Sequence, residues 1–196
     1  MRDFFIKNFF NHIAVTSNSV NFNEINLIVN FLKKLRKNKG RLFFLGVGGS
    51  AGNCSHATND FRKLCNIESY CGTDNISELT ARINDDGWNH SFSGWLKASN
   101  LKFKDAIFVF SVGGGNLKKK ISVNLIEAIK YAKKKKSTVI SIVGRKDGYA
   151  YYASDYKILI PTTNSALVTP ISESFQTVVW HSIVSHPDLQ EQKTKW

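Results

Sequence analysis

Only three cysteines, Cys54, Cys65 and Cys71, occur in the 196-residue chain. An odd number without Cys-x-x-Cys spacing excludes a disulfide framework and gives no cysteine zinc site. Long apolar runs are missing as well, since none approaches the ~20 residues that cross a bilayer. The opening Met1-Arg2-Asp3-Phe4-Phe5-Ile6-Lys7-Asn8 lacks a leader's continuous apolar core and small-residue cleavage site, so a cytoplasmic location with no membrane partner is the expectation. No repeat or disordered linker divides the sequence, and a single domain over 1–196 follows. Acidic residues are few: 15 Asp and Glu against 27 Lys and Arg, a net charge of +12. Such a balance suggests nucleic acid. Yet the lysines lie in small groups at 33–37, 118–120 and 133–136, each at or near the end of an expected helix. There they complement the helix dipole or reach into water. A solvated basic surface is the favoured reading, nucleic acid is not an expected partner, and an anionic substrate would gain from the field.

Two common nucleotide signatures are also missing: neither G-x-x-x-x-G-K-[ST] nor the G-x-G-x-x-G spacing occurs. What the chain has instead is Leu45-Gly46-Val47-Gly48-Gly49-Ser50-Ala51-Gly52-Asn53-Cys54-Ser55-His56 between an apolar run and a helical stretch. Strand, glycine-rich turn and helix point backbone N–H groups and a positive dipole end at an anion. His56 and Asp60 follow at i and i+4, on one helix face.

Around this stretch strands and helices alternate. Apolar stripes at helical spacing cover 4–13 and 23–38. Strands are expected at 41–47, 67–72, 106–112, 138–144 and 156–161. Helices are expected at 50–64, from the 73–75 cap through 81, at 90–99, 121–135 and 171–185, with Asn84-Asp85-Asp86-Gly87 as a helix break. This pattern predicts a three-layer α/β/α fold with a five-stranded parallel sheet. Residues 1–40 would pack as two helices in an oligomer interface, and 41–196 would form the ligand-binding core. Ligands of such sheets sit outside the strand C-termini, where the first glycine turn and a second, Ser111-Val112-Gly113-Gly114-Gly115-Asn116, both fall. Three consecutive glycines imply a sharp bend or a backbone facing a ligand. The last helix carries Glu173, Gln176 and His181 among apolar neighbours, groups that are costly to bury unpartnered. Trp88, Trp95 and Trp180 are read as core or subunit contacts.

With both turns, the His-x-x-x-Asp helix and the late Glu/His helix placed, the whole chain resembles the phosphoheptose isomerases of the sugar isomerase (SIS) fold. The residues that carry the resemblance include Gly46-Val47-Gly48-Gly49-Ser50-Ala51, Asn84-Asp85-Asp86-Gly87 and Gly144-Arg145-Lys146-Asp147-Gly148. The family interconverts sedoheptulose 7-phosphate and D-glycero-D-manno-heptose 7-phosphate, usually as homotetramers with active sites at subunit interfaces. The resemblance implies one zinc per subunit held by His56, Asp60, Glu173 and His181. It implies Asp60 or Glu173 as base and His181 as acid of an enediol isomerisation. It also implies Gly48, Gly49, Ser50, Asn53, Asp85, Ser111, Gly113, Gly114 and Asn116 as the residues that bind the sugar phosphate.

Departures accompany it. Asp60 stands where the family has Glu, Glu173 where it has Gln, and the second loop has glycines for the family's Ser and Thr. The alternatives are a non-catalytic sugar-phosphate-binding or DnaA-initiator-associating type of protein, and an SIS isomerase for another sugar phosphate.

Overall fold

The computed structural model describes residues 2–195. Five strands form one all-parallel sheet in the order β2-β1-β3-β4-β5: β1 (Leu42–Leu45), β2 (Ser69–Cys71), β3 (Ala106–Ser111), β4 (Thr138–Val143) and β5 (Tyr156–Leu159). β3 and β4 are almost wholly apolar and buried, as strands covered on both faces must be. Alternate side chains serve opposite layers. Leu42, Phe44, Phe108, Phe110, Ile140 and Ile142 pack with helices α2 (Phe22–Lys37), α3 (Gly49–Cys65) and α8 (Val168–Val184). Phe43, Leu45, Ile107, Val109, Val139 and Val143 pack with α5 (Ser91–Ala98) and α6 (Val123–Lys134).

The chain runs from β1 out to β2 and then crosses to β3 on the other side of β1. The order of connection therefore reverses between β1 and β3, and a crevice opens outside their C-terminal ends. The first glycine turn leaves β1 there and the second leaves β3.

Local chemistry explains the element ends. Asn21 caps α2 by accepting from Asn23 N–H, and Asn75 caps α4 (Ile76–Asp86) by accepting from Glu78 N–H. α4 continues beyond the expected end at residue 81 to Asp86, and the break falls at Gly87, within the expected 84–87 stretch. Glu78 and Arg82 pair at i,i+4 along it, and only Gly87, at φ 77°, turns the chain away. A further short helix, α7 (Tyr149–Ala153), follows the Arg145–Gly148 loop.

The first helix is longer than its stripe, Arg2–Ser19, and packs on the core through few residues. Ile13 touches the core, and His12 Nδ1 lies 3.0 Å from Thr163 Oγ1. Phe4, Phe5, Ile6 and Phe10 stay more than half exposed, as do Phe22 and Leu27 of α2.

Candidate active site

α3 begins at the crevice without a side-chain cap. Gly48 precedes it at φ 64°, a left-handed conformation that glycine takes freely. The first turn of α3 thus presents main-chain N–H groups at the positive end of a 17-residue helix. Ser50 is buried there, 2% exposed. Gly46 must be glycine, because a Cβ would lie 2.6 Å from the Ser50 carbonyl oxygen.

α8 lies beside α3 and runs in the same direction. Gly49 faces Glu173, Asn53 faces Gln176 and Thr177, and His56 faces Trp180 and His181. Asn53 is the tie. Its amide donates to the Glu173 carbonyl at 2.9 Å and to Gln176 Oε1 at 3.0 Å, while its oxygen accepts from Thr177 Oγ1 at 2.9 Å. The Asn53 side chain, expected to hold substrate, is therefore engaged in joining two helices. Sequence reading had no signal for this, because the partners lie more than 100 residues away.

Two turns into α3 the chemistry concentrates. Asp60 Oδ2 lies 3.8 Å from His56 Nε2 and 3.8 Å from His181 Nε2. Asp60 Oδ1 accepts from the Asn59 amide at 2.8 Å. Asp60 is largely covered, with 15% of its side chain exposed, whereas the imidazoles are open at 57% and 44%. Ligand atoms of the three residues lie within 4.8 Å of one another, a group able to hold a metal ion. Ligands at 2.0–2.1 Å from a tetrahedral ion stand roughly 3.3 Å apart, so small side-chain rotations would close the set. Two imidazole nitrogens and one carboxylate form a mixed nitrogen and oxygen donor set able to hold a divalent metal ion. Burial pushes the His181 pKa below the ordinary histidine value, the nearby His56 lowers it further, and Asp60 and the Thr177 main chain partly offset both. A neutral imidazole can ligate without first losing a proton.

Glu173 is not part of this group. Its carboxylate rests on the start of α3, where a Cβ on Gly49 would meet Oε2 at 2.6 Å. The physical reason is length: eight residues of helix separate it from His181, a rise of about 12 Å. Of the four metal ligands expected, His56, Asp60 and His181 come together and Glu173 stands two turns away.

The second glycine turn is built largely around its own packing. Ser111 Oγ accepts from Gly114 N–H at 3.0 Å. The carbonyls of Gly114 and Gly115 accept from Ala150 and Tyr149 N–H at the start of α7. Gly114 and Gly115 have φ of 69° and 84°, and a Cβ on Gly148 would collide with the Gly113 carbonyl. Close approach of the two loops thus bears on Gly114, Ile126 crowds Gly115, and Gly113 has open space where a Cβ would stand. Asn116 Oδ1 accepts from Lys119 N–H, and the segment between closes through an Asn116–Ile121 bridge. Asp85 sits at the exposed end of α4, accepting from Asn84. Among the described residues no hydrogen bond or ion pair joins it to α3 or α8.

No family model matches the chain. It is 29% identical over 158 residues to the lincomycin biosynthesis protein LmbN of Streptomyces lincolnensis, a match covering 75% of this chain and 56% of that protein. It is 29% identical over 147 residues to the phosphoheptose isomerase of Rhodospirillum rubrum, 72% of each. The solved phosphoheptose isomerase of Neisseria gonorrhoeae superposes with a TM-score of 0.80 over 94% of this chain and 98% of that one, at 22% identity. That of Francisella tularensis gives 0.77 over 93% of each, at 18% identity. At these identities the structural likeness establishes the fold.

Proposed function

We propose, from the premise that this chain belongs to the phosphoheptose isomerase family with the SIS fold, that it isomerises sedoheptulose 7-phosphate to D-glycero-D-manno-heptose 7-phosphate. One observation carries the reading to this chain's own residues: α3 bears an anion cradle at one end and the His56–Asp60–His181 group further along the same helix. Six residues separate Ser50 from His56, about 9 Å of helix. An extended seven-carbon chain of ~1.5 Å bonds, with a phosphate at one end and a carbonyl at the other, covers a similar span.

In this mechanism the phosphate docks at the first turn of α3, on main-chain N–H groups and the Ser50 hydroxyl. The carbonyl end then lies at the cluster. Asp60 takes the proton from the carbon next to the carbonyl, through Oδ1, the oxygen turned away from the imidazoles. Asn59, donating to that oxygen, steadies the carboxylate as an anion. His181, beside Asp60 at 3.8 Å, takes up that proton and gives it to the neighbouring carbon of the enediol, while the hydroxyl proton passes between the two substrate oxygens, so that both side chains end in the form in which they began. His56, Asp60 and His181 would hold a divalent ion, for which zinc suits the mixed nitrogen and oxygen donors. When bound, such an ion polarises the substrate carbonyl. Glu173 lies at the phosphate end and has no part in the proton transfer.

The direct test is to incubate the purified protein with ketose phosphates of five to eight carbons and follow aldose formation by NMR. Turnover of the seven-carbon sugar supports the proposal, and no turnover of any member overturns it. A narrower check addresses the cradle. Ser50→Ala should raise KM severalfold with kcat little changed, because phosphate is gripped equally in ground and transition states. An unchanged KM would remove Ser50 from the phosphate site.

The same reading makes the protein an oligomer, a tetramer by likeness to the family. Phe4, Phe5, Ile6 and Phe10 on the first helix, with Phe22 and Leu27 on α2, leave an apolar surface that a second copy would cover. The openness of His56 and His181 also suits a site finished by a neighbouring subunit. Light scattering at micromolar concentration should give a mass well above the 22.1 kDa of one chain. Replacing Phe5 and Phe10 by Asp should shift it toward the monomer.

A further inference from the structure

We propose that Trp180 is a positioning residue, an indole wall that fixes the planes of His56 and His181 so that both imidazoles face Asp60. The inference rests on the metal-site reading above and adds to it a residue that supplies no ligand atom.

Trp180 is fully buried and is the largest such side chain among the described residues. Its ring lies 3.6 Å from that of His181, tilted by 36°, and 4.8 Å from that of His56, edge-on at 72°. The two imidazoles stand 5.4 Å apart at 82° to each other. One rigid plane therefore touches two rings that belong to different helices, and those rings end at equal distances from the same carboxylate oxygen.

A purely space-filling role does not account for this choice of residue. The indole Nε1 is buried with no hydrogen-bond partner, a cost that phenylalanine or leucine at the same place would avoid. What the indole provides is breadth. It spans the gap between the α3 and α8 imidazoles and removes rotational freedom from rings that are otherwise half open to solvent. Metal ligands need such support, because a ring free to turn loses most of its advantage as a donor.

The test is Co²⁺ binding by the full chain, measured by competition with a colorimetric chelator, together with the visible spectrum of the bound ion. Trp180→Met keeps apolarity and a flexible chain that can refill part of the space but has no plane, and Trp180→Phe keeps a plane. Trp180→Met is expected to bind Co²⁺ more weakly by about tenfold or more and to change the ion's spectrum. Its melting should remain cooperative. Trp180→Phe, which keeps a plane but loses the breadth, should bind Co²⁺ with an affinity between those of wild type and Trp180→Met. These readouts separate positioning from packing, since a filler role would move the melting temperature and leave the spectrum alone.

A folded Trp180→Met with wild-type affinity and spectrum overturns the proposal while leaving the metal site standing. Trp180→Leu serves if the methionine variant does not fold. If neither folds, the indole's role is structural and the proposal falls. If the wild type binds no Co²⁺, the metal reading and this one fall together.

Discussion

His181→Ala should lose its metal and its turnover together. The imidazole is one of three groups whose ligand atoms lie within 4.8 Å of one another, so its removal leaves two protein ligands. It is also the acid in the proposed isomerisation, and positioned acids and bases contribute roughly 10²–10⁴-fold. Turnover of the variant should therefore fall by at least about a hundredfold. Elemental analysis of protein purified without chelator or metal-affinity tag should find less than stoichiometric metal in the variant. Wild-type protein dialysed against a chelator should lose activity and regain it on adding zinc. The competing account is that His56–Asp60 and His181–Asp60 are charge-assisted contacts that only hold α3 against α8. That account predicts a less stable variant, no metal in the wild type and indifference to chelator.

Asp60→Asn should be nearly as damaging by a different route. The amide still offers an oxygen near both imidazoles but cannot accept the substrate's proton. kcat and kcat/KM should fall in parallel by about 10²–10⁴, the pattern of an interaction made only in the transition state. Glu173→Gln provides the contrast. Its carboxylate rests on Gly49 rather than in the cluster, so metal content and kcat should be kept. KM for the phosphorylated sugar should fall, because a negative charge is removed from beside the anion cradle. If Glu173→Gln instead abolished turnover with metal retained, Glu173 would be the base and the direction in which the sugar lies along α3 would be reversed.

Much of the fold could be read from the chain because its signals are local. The apolar runs at 106–111 and 138–143, separated by helical stretches, specify a parallel sheet without knowledge of any contact. The His56–Asp60 pair was legible for the same reason, since i,i+4 spacing settles a face once a helix is granted. What the sequence hid depends on crossings. Glu173 and His181 share a helix, but which of them reaches Asp60 depends on where α8 meets α3, and no spacing along one helix encodes that. At the second glycine turn composition alone does not separate the causes: Gly114 meets Gly148 and Gly115 meets Ile126, both at positive φ, while Gly113 faces open space and is free to face a ligand. α4 outran its expected end because Asp85 and Asp86 are tolerated at a helix C-terminus when the Arg82 network and Gly87 finish it.

The Asn53 tie has a kinetic consequence. With both ends of one amide engaged across the helix pair, α8 is pinned to α3 midway between Ser50 and the His56–Asp60–His181 group, and on the proposed reading the interval between phosphate and carbonyl ends is the fixed rise of α3. A sugar phosphate two carbons too short would still be caught by its phosphate, but its carbonyl would hang a bond or two from the cluster, with no hinge to bring the ends together. Such compounds should behave as competitive inhibitors rather than slow substrates: they occupy the enzyme, and selection is exercised in the chemical step instead of at the door.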